Sequence, residues 1–273
     1  MKFTYSIPTK ILFGPGSFND LATTPLPGKK ALIVITAGKS MRVNGYLDRL
    51  IDMLGKQGIG HALFDKILPN PVLRHVHEGA ALAREQGCDF VIGLGGGSSI
   101  DSAKSIAVMA KNPGDYWDYV SGGSGKGQPL VNGALPIVAV ATTAGTGTEA
   151  DPWAVITKED TNEKIGFGCA ETFPVLSVVD PEMMLTIPAH LTAYQGFDAL
   201  FHATEGYIAN VSTPLSDAYA LKSIELLAKY LPAAVKDGSD LEARTQVALA
   251  STLSGMVEST SCCTSEHGME HAL

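Results

Sequence analysis

Two pairs of side chains in this sequence share a four-residue spacing and a chemistry that suits a metal: Asp198 with His202, and His267 with His271. On a helix, residues four apart stand on one face, so each pair can present two donors to a common point. Carboxylate and imidazole bind divalent first-row metals, and imidazole suits zinc and iron alike. Taken singly, each pair is also what a surface or capping pair looks like. Taken together, they fall in the same half of the chain. Asp198, His202 and His267 then make a three-ligand set that needs a fourth protein ligand or an open position for a substrate oxygen, and its chemistry is Lewis acidity.

A second kind of chemistry is written in glycine. Gly95-Gly96-Gly97-Ser98-Ser99 follows an apolar run and precedes a helical one. Glycine lets the backbone approach a phosphate closely, and a helix N-terminus offers free N–H groups at the positive end of its dipole. The loop is neither GxGxxG nor a Walker A sequence, and alone it also fits a glycine-rich turn with a serine N-cap. A second loop, Thr142-Thr143-Ala144-Gly145-Thr146-Gly147-Thr148-Glu149, again follows an apolar run. Two hydroxyl- and amide-rich loops at strand ends suit an extended, phosphate-bearing ligand, a dinucleotide better than a free anion.

These groups need elements to hold them. Short apolar runs at 30–36, 61–64, 89–94, 135–141 and 175–179 read as strands. Helical spacing at 46–56, 75–86 and 100–111 lies between them, with Gly58 and Gly87 as stops. Strand alternating with helix predicts an α/β dinucleotide-binding domain with a parallel sheet over 1–188. After Pro188 only helical periodicity remains, at 191–210, 214–230 and 241–258, which predicts an all-helical metal-binding domain over 189–273. The segment 266–273 reads as helix interior with no stop signal, so the sequence is expected to be a fragment of a longer chain. Residues 121–128 (SGGSGKGQ) read as a flexible loop.

The chain has 273 residues, 45% of them hydrophobic, and 29 glycines. Its net charge of −8 repels phosphates and argues against binding nucleic acid or an anionic membrane. No apolar run approaches the roughly 18 residues of a membrane helix, and MKFTYSIPTK has no apolar signal-peptide core. None of the four cysteines forms a CxxC pair, and adjacent Cys262 and Cys263 are strained partners for each other, which suits a reduced, cytoplasmic protein.

Several segments, in order along the whole chain, resemble the iron-containing (group III) alcohol dehydrogenase family. They are Thr9–Ser17 (TKILFGPGS), GGGSSIDSAK from Gly95, TTAGTGTE from Thr142, Val178-Val179-Asp180-Pro181-Glu182, the Asp198/His202 pair, and His267-Gly268-Met269-Glu270-His271. The resemblance implies an NAD(P)-linked, metal-dependent oxidoreductase that moves a hydride between a nicotinamide and a small alcohol or aldehyde. Fe2+ is the first expectation for the metal and Zn2+ the second, and a homodimer or higher homo-oligomer is implied. It further implies that Gly95, Gly96, Gly97 and Ser98 cradle the pyrophosphate, with Asp101 near the nicotinamide and Thr142, Thr143 and Thr146 along the cofactor cleft. Lys164 would lie near the ribose. Asp198, His202 and His267 would ligate the metal, with His271 close to substrate as a proton carrier.

Two departures from the family pattern stand out. The family's fourth ligand is a histidine beyond Leu273. And 36–40 (TAGKS) carries no carboxylate to bind a ribose 2′-hydroxyl and repel a 2′-phosphate; with Lys39, Ser40 and Arg42 nearby it admits NADP, slightly favoured, as well as NAD. Related activities on the same scaffold (glycerol dehydrogenase, maleylacetate reductase, a dehydroquinate-synthase-like lyase) and a catalytically incomplete nucleotide-binding fragment are the competing readings.

Overall fold

The run KALIVIT offers solvent almost nothing polar, so it is stable only when covered on both faces, as strands of parallel sheets are. In the computed structural model, which describes residues 2–272, it is a strand whose positions Ala31 to Ile35 are fully buried. The sheet is built from β1 (Lys10–Phe13), β2 (Lys30–Thr36), β3 (Gly60–Ile67), β4 (Phe90–Gly95), β5 (Ile137–Ala141) and, after a separate hairpin of β6 (Ala154–Lys158) and β7 (Glu163–Phe167), β8 (Leu176–Val179). Its order is β1-β8-β5-β4-β2-β3, and every pairing in it is parallel.

Helices α1 (Ser40–Val43), α2 (Tyr46–Lys56), α3 (Leu73–Glu85) and α4 (Gly97–Lys111) connect the strands. The four that follow the sheet are α5 (Ala189–Ile208), α6 (Pro214–Lys236), α7 (Leu241–Thr260) and α8 (Ser265–Glu270). The expected parallel α/β sheet followed by helices is thus present. Among the described residues no helix is long and apolar enough to cross a membrane.

The core has three main parts. One set of buried side chains covers a face of the sheet with Val76, Ala80 and Ile106, and another covers the opposite face with Leu47, Leu50 and Leu54. A third joins Ile100, Ala141 and Val179 to Leu226, Leu227, Leu231 and Val247. Each such Leu, Ile or Val contributes about 1.5–3 kcal/mol by leaving water, so the late helices are bound to the sheet by the same force that builds it. The closest approach is backbone on backbone. Gly147 (φ +62°) lies against Gly255 of α7, where an added Cβ would come within 2.7 Å of the Gly147 carbonyl carbon.

Several elements differ from the sequence expectation. Strand β1 and the strands of the β6–β7 hairpin, four or five residues each, are too short to announce themselves; the hairpin turns at Asn162, whose φ is +53°. Helix α6 does not stop at Tyr230 but runs through Pro232 to Lys236, because burial of Leu231 and Ala234 outweighs the roughly 3 kcal/mol that an internal proline costs. Helix α8 ends at Glu270, with His271 as its C-cap; Leu273 lies outside the described residues. Residues 121–128 do not form a free loop, since Ser124 is held through its N–H and hydroxyl by Glu163.

Candidate active site

Helix α5 places Asp198 and His202 one turn apart, and α8 brings His267 over them. His267 Nε2 lies 3.4 Å from Asp198 Oδ1, and His202 Nδ1 lies 3.8 Å from the same oxygen. The two imidazoles stack with centroids 4.1 Å apart and planes 19° apart. His202 Nδ1 is buried and has no hydrogen-bond partner. A buried imidazole nitrogen without a partner is costly, and here it is directed at a carboxylate oxygen that a second imidazole also approaches. That donor set fits a divalent cation.

The other nitrogen of each ring is held by a glutamate. Glu258 Oε1 lies 2.6 Å from His202 Nε2, and Glu205 Oε2 lies 2.5 Å from His267 Nδ1. Glu205 also accepts from the Thr264 hydroxyl (3.1 Å) and the Glu266 N–H (2.5 Å), so it anchors the start of α8. Burial opposes charge on His202, but Glu258 and Asp198 outweigh it and push the pKa up to about 10. His267 is likewise raised, with burial opposing and Asp198 and Glu205 supporting. A carboxylate behind a ligating histidine fixes its tautomer and strengthens its basicity. Glu205→Gln is therefore expected to weaken metal binding about 10–100-fold with a small effect on unfolding of the metal-free chain; titration with Co2+ followed by visible absorbance measures it, and unchanged affinity would contradict the role. His202, His267 and Cys263 also bring donor atoms within 4.8 Å of one another.

Behind this cluster lies a buried lysine. Lys104, fully buried in α4, donates to Thr148 Oγ1 (2.6 Å) and to the carbonyls of Asp151 (2.9 Å) and Trp153 (2.7 Å), and pairs with Asp151 Oδ1 at 3.1 Å. Thr148 Oγ1 in turn donates to Asp101 Oδ1 (2.7 Å), whose other oxygen accepts the Val155 N–H at 3.0 Å. Burial raises both the Asp101 and Asp151 carboxyls and Lys104 opposes it. One ammonium thus ties the helix after the first glycine loop to the segment after the second.

The two loops meet at the carboxyl ends of β4 and β5. The Thr142 N–H donates to the Gly95 carbonyl at 2.9 Å. A Cβ on Gly96 would lie 2.8 Å from Thr143 Oγ1, and one on Gly97 would lie 2.7 Å from Thr146 Cγ2, so both glycines are needed for the loops to close on each other. A cleft of about 600 Å3 runs from here to the histidines. Gly97, Ser98, Asp101, Thr146, Lys164, Asp198, His202, His267 and His271 are in its walls; Gly95, Gly96, Thr142 and Thr143 are not, and support the wall from behind. Lys164, on β7, pairs with Glu270 of α8 at 2.7 Å. Burial lowers the His271 pKa, and Lys164 lowers it further.

Sequence reasoning passed over Lys104, Thr148, Asp151, Glu205 and Glu258. Lys104 stood in the quoted GGGSSIDSAK segment, three residues after Asp101. Glu205 stood three after His202, on the same helix face. Glu258 carried no local signal.

A family model described as iron-containing alcohol dehydrogenase matches residues 8–181, and the C-terminal model of the Fe-containing alcohol dehydrogenase family matches 192–273. The choline dehydrogenase of Bacillus subtilis is 39% identical over 272 residues, 99% of this chain and 67% of that protein. The structure of an archaeal halo-thermophilic alcohol dehydrogenase from a Red Sea brine pool, bound to NZQ, superposes with a TM-score of 0.94 at 37% identity, covering 99% of this chain and 69% of that one. That of sulfoacetaldehyde reductase from Bifidobacterium kashiwanohense with NAD+ does so at 0.86 and 31%, covering 97% and 69%. The chain thus spans about two thirds of the length of these relatives.

Proposed function

From the premise that this chain belongs to the iron-containing alcohol dehydrogenase family, we propose that it is part of an NAD(P)-linked, metal-dependent dehydrogenase interconverting a small alcohol and its aldehyde. The observation that carries this reading is the convergence of two imidazoles, one with an unpartnered buried nitrogen, on a single oxygen of Asp198 at the end of a cleft that begins at a glycine loop. Residues 1–188 serve as the dinucleotide-binding part and 189–273 as the beginning of the metal-binding part. Asp198, His202 and His267 would hold the metal. A homodimer or larger homo-oligomer in the cytoplasm belongs to the same reading.

A divalent ion there supplies Lewis acidity toward an alcohol or carbonyl oxygen, and a nicotinamide supplies the hydride carrier. The chain's own residues bind, orient and carry protons. The backbone N–H groups at Gly97 and Ser98, at the start of α4, bind the dinucleotide phosphates, and Gly95, Gly96, Thr142 and Thr143 hold that loop in shape. Thr146 and Asp101 line the path between phosphates and metal, with Asp101 kept rigid by Thr148 and Val155. His271, kept largely neutral by burial and Lys164, accepts the alcohol proton and passes it toward the cleft mouth. At the ribose, 36–40 brings no carboxylate against a 2′-phosphate, while Arg42 is taken up by Asp65 at 2.6 Å; NADP is accommodated beside NAD. Relatives are named for choline, for alcohols and for sulfoacetaldehyde, which supports a small alcohol or its aldehyde as the substrate class.

The test is an assay of alcohol oxidation with NAD+ and NADP+ after loading with Fe2+ or Zn2+; turnover that needs both ion and dinucleotide is expected, and dinucleotide binding without turnover under any loading would leave only a nucleotide-binding module. Proton release gives a second check. With a pKa near 10, His202 is protonated at pH 7 in the metal-free protein, whereas a ligating imidazole is neutral. Loading at pH 7 is expected to release at least about one proton per ion, measurable by calorimetry in buffers of different ionisation enthalpy. No release would contradict His202 as a ligand.

A further inference from the structure

We propose that Lys164 and Glu270 form a latch across the cleft, and that a dinucleotide opens it by taking the lysine from the glutamate. The proposal rests on the dehydrogenase reading above and names how dinucleotide entry is regulated at that same site. Lys164 stands on β7 and Glu270 at the end of α8, both in the cleft wall, and their side chains pair at 2.7 Å. Among the described residues of that wall, Lys164 is the one Lys or Arg, against six Asp and Glu. A ligand that carries phosphates into the cleft therefore has a single ammonium to draw on, and Glu270 already holds it.

The hairpin that carries Lys164 is itself fixed. Adjacent residues of a strand point to opposite faces, and Glu163, which is not in the cleft wall, accepts from the Ser124 N–H and hydroxyl (2.5 Å each) and the Thr161 hydroxyl (2.6 Å). On β6 the Val155 N–H is bound by Asp101 (3.0 Å) and the Thr157 N–H by the Pro71 carbonyl (2.9 Å). The backbone under Lys164 thus stays in place, and only its flexible four-carbon stem has to swing between partners. Helix α8 lacks such support at its far end. Glu205 anchors its start, none of its residues is buried, and the Lys164–Glu270 pair ties its end to the hairpin.

Opening this latch costs little. The Lys164 and Glu270 side chains are 24% and 52% exposed, and ion pairs this open to solvent are weak. Glu270 is not stranded when the lysine leaves, because water reaches it and its other oxygen already lies 3.5 Å from His271 Nε2. The pair is weak enough for a dinucleotide to displace and strong enough to be felt in its affinity.

The test is titration with NADH and with NADPH, followed by their fluorescence, of the wild type, Glu270→Gln, Lys164→Met and the double variant. Glu270→Gln is expected to bind the dinucleotide about two- to fivefold more tightly, the share that breaking an exposed ion pair takes from the affinity. Lys164→Met is expected to bind more weakly than wild type. Adding Glu270→Gln to it is expected to change nothing, since no lysine is left to release. A dissociation constant in Glu270→Gln equal to or above that of wild type overturns the latch. So does equal tightening by Glu270→Gln with and without Lys164, which makes Glu270 a general repeller of anions.

These titrations need no turnover, so the latch and the dehydrogenase reading fail separately. The expected binding pattern without oxidation of any alcohol keeps the latch and removes the dehydrogenase. Alcohol oxidation with a dinucleotide affinity indifferent to Glu270 does the reverse. Absence of binding of either dinucleotide to all four proteins removes both.

Discussion

His202→Ala is expected to abolish metal binding and turnover together, in the full-length protein, while dinucleotide binding persists. His202 presents its unpartnered Nδ1 toward Asp198 and has only 7% of its surface exposed, so solvent does not readily replace the lost nitrogen. Removing a partner that merely orients a ligand costs about 10–100-fold in metal affinity; removing the ligand itself is expected to exceed the upper end of that range. The deletion also leaves the Glu258 carboxylate buried without its imidazole, which penalises the empty site further. Elemental analysis after loading, turnover with NAD+ and NADP+, and dinucleotide titration of the same sample check it. An alanine variant with normal metal content and turnover would end the ligand assignment.

Lys104→Met should destabilise the fold more than any other single change at the site. The fully buried ammonium is the cation for Asp151, itself 1% exposed, and steadies Asp101 through Thr148. Breaking a buried pair from one side costs about 3–5 kcal/mol, because the surviving charge stays buried. For a chain of this length that lowers the thermal midpoint by roughly 10 °C. The deficit also has a sign in pH. Burial already holds the folded-state pKa of Asp151 well above its unfolded value, and without Lys104 it rises further, so the variant carries an added penalty that is present at high pH and lost as pH falls through the two folded-state values. The gap between wild type and variant is therefore expected to narrow from pH 7 toward pH 5. Thermal melts across that range measure it, and coincident melts at pH 7 would remove the network's structural role.

Reading the sequence located these sites unevenly, for reasons that particular residues show. Helix α2 runs over Tyr46–Lys56 as its spacing of Leu47, Leu50, Ile51 and Leu54 predicts, since an amphipathic stripe bounded by glycine is local information. Asp198 and His202 could be paired because one helix turn brings them together. His267 could be added only by its donor type and its place in the same helical half, since no local rule says that α8 folds back over α5. Glu205 was readable in principle from the same helix face as His202. Glu258 was not: it reaches His202 from α7, 56 positions along the chain, and only packing of α7 against α5 makes that contact.

The sequence by itself determined the alternation of strand and helix, the two glycine-rich loops, the late helices and the donor types of the Asp198, His202 and His267 cluster. All of these rest on periodicities and turn chemistry that act over a few residues. The tertiary structure decided what those pieces do together. It closed the two loops on each other through Gly96 and Gly97, ran one buried ammonium between them, placed Glu258 behind His202 and Glu205 behind His267, and tied the Trp153 indole to the Glu258 carbonyl. Each of these contacts depends on distance across the fold, set by how side chains fill the core between sheet and helices.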